Sequence, residues 1–162
     1  GTMLACLMAA YEMNHFRESY QKAVIDNARS FARSLADLGL SVAGDPESGF
    51  TQTHQVILEL GHGRGPAMAR DLEANNIICN YQAGPYDESF SAAGALRMGV
   101  AEMTRFGMDH EGFAELATLI KEVIREGKEV KEQVSRLRRK HLELQYCFKD
   151  LNTQDLLRSL EG

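Results

Sequence analysis

A helical apolar period runs almost unbroken through the first 38 residues, and it constrains the fold more than any other feature of the chain. Leu4, Leu7, Met8 and Tyr11 recur at helical steps, followed by Phe16, Tyr20, Ala23, Val24, Asn27, Phe31, Leu35 and Leu38. Arg17, Glu18, Lys22, Asp26, Arg29 and Arg33 fill the intervening positions. The spacing predicts one long amphipathic helix from Thr2 to Leu38, or two with a bend near Asn14, ended by Gly39 as a C-terminal cap. No cap-rich leader precedes this pattern, which hints that the natural protein continues upstream.

Shorter elements follow. Residues 40–43 form a short strand candidate, and residues 44–49 carry turn chemistry. Residues 53–60, T-H-Q-V-I-L-E-L, read as a strand. After the glycine-rich loop 61–65, Pro66 opens a helix that runs to about Asn75. Ile77-Ile78-Cys79 reads as a strand, residues 81–93 as an irregular loop, and residues 95–99 as a further strand. Asp109 caps a helix with Phe113, Leu116, Ala117, Ile120, Val123 and Ile124 on one face. Few strands with helices between them predict an α/β (α+β) two-layer sandwich, a small and mainly antiparallel sheet packed by helices.

The tail differs from the rest. Val130, Val134, Leu137, His141, Leu144, Phe148 and Leu151 alternate four and three apart, a heptad seam with one polar position. Residues 1–126 are therefore expected to form the domain and residues 127–162 an amphipathic helical extension, folded back on the domain or making a dimer contact. Arg136, Arg138, Arg139 and Lys140 cluster within it, but Glu129, Glu132 and Glu143 dilute their charge.

Composition excludes several partners. A formal net charge of -5 argues against a nucleic-acid binder, which carries a basic face. The longest apolar stretch, residues 3–13, contains Glu12, is too short to span a membrane, and lacks the basic start of a signal peptide. Cys6, Cys79 and Cys147 stand far apart, so neither zinc nor a disulfide framework is expected. Cys6 and Cys79 lie among apolar residues and read as buried free thiols. A reducing, cytoplasmic setting follows.

Little in the chain resembles catalytic machinery. Nucleophile-elbow, metalloprotease and Walker motifs are absent. The loop 61–65 lacks the lysine and hydroxyl that end a phosphate loop. His54 and His62 lack accompanying carboxylate or cysteine ligands, so no metal site is expected. Arg97 stands out, because it interrupts the apolar strand 95–99 between Gly94 and Gly99. A buried guanidinium is costly unless it meets an anion, and its planar fork suits a carboxylate. That anion is either an internal Asp or Glu or a ligand.

The run R-M-G-V-A-E-M-T-R-F-G-M, Arg97 to Met108, resembles a signature of serine hydroxymethyltransferases, which are fold-type I pyridoxal-phosphate enzymes. Its common form is R-(I/V/L)-G-T-P-A-x-T-x-R-G. His54-Gln55-Val56, the stretch Ile77 to Gln82 and the stretch Tyr20 to Ala28 resemble other family pieces in family order. The resemblance covers Thr2 to about Arg125. It implies that Arg97 clamps the α-carboxylate of a small amino-acid substrate, serine or glycine. It also implies that Asn80, Tyr81 and Gln82 face a tetrahydrofolate or tetrahydropterin carrier. Pyridoxal phosphate would sit mainly on a large N-terminal domain missing from this chain, at a homodimer interface. The family's T-T-H-K-type lysine motif and its cofactor-binding Asp and His have no match here, so no catalytic residue is assigned to this chain. Gln82 stands where the family usually has Asn, Val100-Ala101 replace Thr-Pro, and Phe106 replaces an Arg common in bacterial members. These departures bear on carrier and substrate more than on fold. The resemblance leaves room for a related aldolase or aminotransferase. From the residues alone, a stand-alone α/β dimerisation module also fits.

Overall fold

The computed structural model describes residues 2–84 and 92–149. Helix α1 spans Thr2–Asp37 without a break at Asn14, and Gly39, at φ 80°, ends it as expected. At 1.5 Å per residue the helix is about 54 Å long, far longer than the sheet it packs on. Only its second half is buried, through Val24, Asn27, Ala28, Phe31, Ala32 and Leu35. The first half leaves Met3, Leu4, Leu7 and Tyr11 exposed.

The sheet has four strands, β1 (Ser41–Val42), β2 (Gln55–Glu59), β3 (Asn80–Gln82) and β4 (Ala95–Gly99), in the order β1-β2-β4-β3 and antiparallel throughout. Alternation in β2 and β4 gives the sheet two unlike faces. Val56, Leu58, Leu96 and Met98 point into the core. There they meet α1, α2 (Gly65–Ala74) and α4 (His110–Glu126). Asp109 Oδ1 accepts from the Gly112 amide at 3.0 Å and so caps α4, while Gly127 closes it in the left-handed conformation. The result is a two-layer α+β sandwich with helices on one face of the sheet.

Several expectations need correction. Residues 77–79 are not a strand, and β3 begins at Asn80. Asn76, at φ 63°, turns the chain after α2, and the Ile77 amide is spent on the Leu72 carbonyl. Pairing with β4 starts only where Asn80 comes opposite Arg97. Tyr81 and Gln82 therefore belong to a strand and not to an irregular loop; residues 85–91 of that expected loop lie outside the described residues.

Helix α3 (Ala101–Arg105) was not expected, because five residues show no periodicity. A buried polar knot holds it. Asn27 Nδ2 donates to Thr104 Oγ1 and to the Met108 carbonyl, each at 3.0 Å, and Thr104 Oγ1 donates to the Val100 carbonyl at 2.8 Å. The threonine of the 97–108 run thus serves packing. Cys6, expected to be buried, is exposed, since its half of α1 projects past the core.

The tail is not one continuous helix. α5 covers Lys131–Arg139, with Val130, Val134 and Leu137 buried, and the heptad seam stops there. The chain then crosses α1. The Gln145 amide donates to the Arg105 carbonyl at 2.7 Å, and the Phe148 ring lies 5.1 Å from Tyr11 and 5.0 Å from both His15 and Phe16. Tyr146 lies 5.3 Å from Tyr20. A continued helix would carry these rings away from their aromatic partners. Leu151 of the seam lies outside the described residues.

Candidate functional site

The face of the sheet turned away from the helices carries the candidate site. Arg97 sits in β4 with Ile57 of β2 on one side and Asn80 of β3 on the other. Leu96 and Met98 beside it face the helices, so Arg97 faces outward. It is half-buried, which corrects the expectation of a guanidinium in a dry strand. Among the described residues no helix packs over this face, and its Gln55, Ile57, Glu59 and Arg97 are all partly exposed.

Among the described residues Arg97 has no ion pair. Glu59 is the acidic residue of β2 on the same face, but it stands opposite Ala95, a diagonal of roughly 7–8 Å. Its carboxylate accepts from Ser41 Oγ at 3.1 Å. Of the two anion sources open for Arg97, the internal one is therefore not found among the described residues.

A hollow of about 230 Å³ opens beside the guanidinium, lined by His54, Gln55, Ile78, Cys79, Asn80, Arg97 and Gly99. Gly99 pairs with Gln55, so the missing side chain lies in the floor of the hollow. A Cβ built at Gly99 would approach only the His54 ring, at 3.7 Å. Chemically, the hollow offers one guanidinium, two carboxamides and an imidazole. That set can hold a carboxylate and orient what is attached to it. The lysines of the described residues lie on helices or in the tail, and none lines the hollow. Five of them form ion pairs, among them Lys22 with Asp26 at 2.5 Å and Lys140 with Glu115 at 2.8 Å.

Asn80, Tyr81 and Gln82, expected to face a carrier from a loop, lie on β3 and so turn to different sides. Asn80 lines the hollow, and Gln82 shares its face by register. Tyr81 pairs with Leu96 and so turns to the helical side; a Cβ added to Gly65 of α2 would come within 3.1 Å of the Tyr81 Cβ. Sequence reasoning missed Gln55, Ile78, Cys79 and Gly99 as wall residues, and weighed His54 only as a metal ligand with His62. The two histidines flank opposite ends of β2, too far apart for one ion. Among the described residues no cluster fit for a metal occurs. The glycine loop serves packing: the Gly63 and Gly65 amides donate to the Ala92 and Ala93 carbonyls, each at 2.9 Å. Any Cβ at Gly65 would lie 2.6 Å from the Ala93 oxygen.

Burial, and secondarily the nearby Glu73 carboxylate, push the Cys79 thiol up to about 11. Cys79 is then almost wholly protonated at pH 8. Alkylation of Cys79 by iodoacetamide at pH 8 is expected to be about 100-fold slower than that of the exposed Cys6, since only the thiolate reacts. Peptide mapping over a time course reads both rates. Rates within threefold of each other would contradict a solvent-poor wall.

Comparison with known proteins gives the family and the fold. The family model of serine hydroxymethyltransferase matches residues 2–120. The serine hydroxymethyltransferase of Saccharolobus islandicus is 39% identical over 153 residues, 91% of this chain and 35% of that protein. That of Korarchaeum cryptofilum is 39% identical over 157 residues, covering 92% and 36%. Among solved structures, the L-threonine transaldolase from Pseudomonas fluorescens matches with a TM-score of 0.78 and 30% identity, over 96% of this chain and 36% of that one. The chain spans about a third of the length of these relatives. On the match of fold, motif and family model together, the chain belongs to the serine hydroxymethyltransferase family.

Proposed function

We propose that this chain is the carboxy-terminal domain of a pyridoxal-phosphate enzyme that exchanges a one-carbon unit between serine and glycine, and that Arg97 is its handle for the substrate carboxylate. One observation carries the reading: a half-buried guanidinium faces a hollow and has no ion pair among the described residues. Two parallel hydrogen bonds from Arg97 would fix the carboxylate, with Asn80 and Gln55 as further donors and acceptors on the walls. Fixing the carboxylate sets which bond at Cα stands ready to break. Pyridoxal phosphate, bound by the large domain, would supply the electron sink for that bond. The hollow lacks an amine to anchor it, so the isolated chain is proposed to be inactive.

The exposed apolar residues support a covering partner. Ile78 is 86% exposed and Met3 87% exposed, which fits surfaces that a large N-terminal domain or a second subunit covers. We propose a homodimeric, cytoplasmic enzyme, with Asn80 and Gln82 toward a tetrahydrofolate or tetrahydropterin carrier. The likeness to a threonine transaldolase favours a second reading, in which a β-hydroxy amino acid is cleaved without a pterin carrier.

The test compares this chain alone with the complete protein, each supplied with pyridoxal phosphate. The chain alone is expected to bind no cofactor and turn over no serine. The complete protein is expected to form glycine from serine only when a tetrahydropterin is present. Carrier-independent cleavage of threonine would establish the second reading, and activity of the chain alone would refute both.

A further inference from the structure

A second and larger cavity, of about 580 Å³, lies on the other side of β4, within the helical layer. Ile78, Met103 and Leu116 give it exposed or partly exposed apolar walls, and the buried Met98, Met108 and Phe113 lie beneath them. Its size falls in the range of small-molecule sites, which combine apolar walls with a few placed polar groups. Three methionines make the wall adaptable, because the unbranched thioether chain fits many shapes.

The rim is charged and uneven. α5 contributes Arg138 and Arg139, and α3 contributes Glu102, so the rim carries a net charge of +1. Arg138 is already engaged: its guanidinium lies 4.3 Å over the Phe106 ring and donates to the His141 carbonyl. Arg139 is exposed and has no ion pair among the described residues. An apolar cleft with an unspent guanidinium at its rim matches a ligand with an apolar body and an anionic head.

We propose that this cavity is a second ligand site, which takes a small aliphatic carboxylate with its chain among the methionines and its head at Arg139. The site is distinct from the Arg97 hollow. Met98 and Arg97 are neighbours in β4 that face opposite sides, while Ile78 and Gly99 border both spaces.

The chain's seven methionines supply the readout. With methyl-¹³C methionine in the chain and octanoate as the probe, the Met98, Met103 and Met108 signals are expected to shift saturably. Met3, Met8, Met13 and Met68 lie away from the cavity and should stay still. Octanol, with the same chain and no charge, is expected to bind about tenfold more weakly, and so is octanoate to R139Q, each reflecting one lost charge-assisted contact. Arg139 is exposed, so this variant keeps the fold. R97A should bind octanoate as the parent chain does, which separates this proposal from the carboxylate role of Arg97. The proposal is overturned by the absence of saturable shifts, by equal movement of the Met3, Met8 and Met13 signals, by equal affinity for octanol, or by an unchanged R139Q.

Discussion

Arg97→Ala in the complete protein is expected to weaken serine and glycine binding by roughly 100-fold. Truncating one partner of a hydrogen-bonded charge pair in a shielded site costs on the order of 2–5 kcal/mol, and each 1.4 kcal/mol is a factor of ten. The half-exposure of Arg97 in this chain places the expected loss toward the lower end of that range. Arg97→Lys should recover only part of it, because an ammonium cannot donate the two parallel bonds. Titration of the protein with glycine measures the effect directly. Affinity unchanged in Arg97→Ala would remove the carboxylate role, while the fold and family assignment would stand.

Phe31→Ala should produce the largest loss of stability. Phe31 is 2% exposed, and its ring lies 5.4 Å from that of Phe113, so it joins α1 to α4 at the centre of the helical layer. Truncating a buried phenylalanine costs about 3–5 kcal/mol, through lost transfer energy and the cavity left behind. For a chain of this size that lowers Tm by roughly 10 °C or more. Thermal and urea unfolding of the chain read the effect. Leu4→Ala, on the projecting half of α1, is the matched control and should change stability by no more than about 0.5 kcal/mol. A similar loss in both variants would show that the first half of α1 is packed and not free.

The accuracy of the element predictions followed the number of residues that carried each pattern. α1 and α4 have many apolar positions at one period, and both ended where their glycines lie, at Gly39 and Gly127. β4 was correctly bounded because Gly94 and Gly99 bracket it. β3 was displaced by three residues, since Ile77-Ile78-Cys79 look like a strand but bridge from α2 to the sheet edge. Ile77 is buried there and Ile78 is exposed, a distinction that hydropathy cannot make. The heptad seam misled for a related reason: periodicity does not reveal that Tyr146 and Phe148 have nearer aromatic partners on α1.

The candidate site divides the same way. Arg97 was legible because a lone charge in an apolar strand must be accounted for, and the residues around it resemble a known run. Its surroundings were not legible, because His54, Gln55, Cys79 and Asn80 come from two separate segments that meet only through strand register. Register also decided that Asn80 shares the hollow while Tyr81 turns away.

Local chemistry, short in range, therefore settled from the sequence the long helix, the capped α4 and the strand bearing Arg97, and the resemblance of the 97–108 run pointed to the family that the comparisons then showed. Tertiary structure alone decided that no helix among the described residues covers one sheet face, that Arg97 opens onto it without an ion pair among them, and that a methionine-lined cavity lies behind the same strand. Those outcomes depend on pairing and packing between segments distant along the chain, which no local pattern encodes.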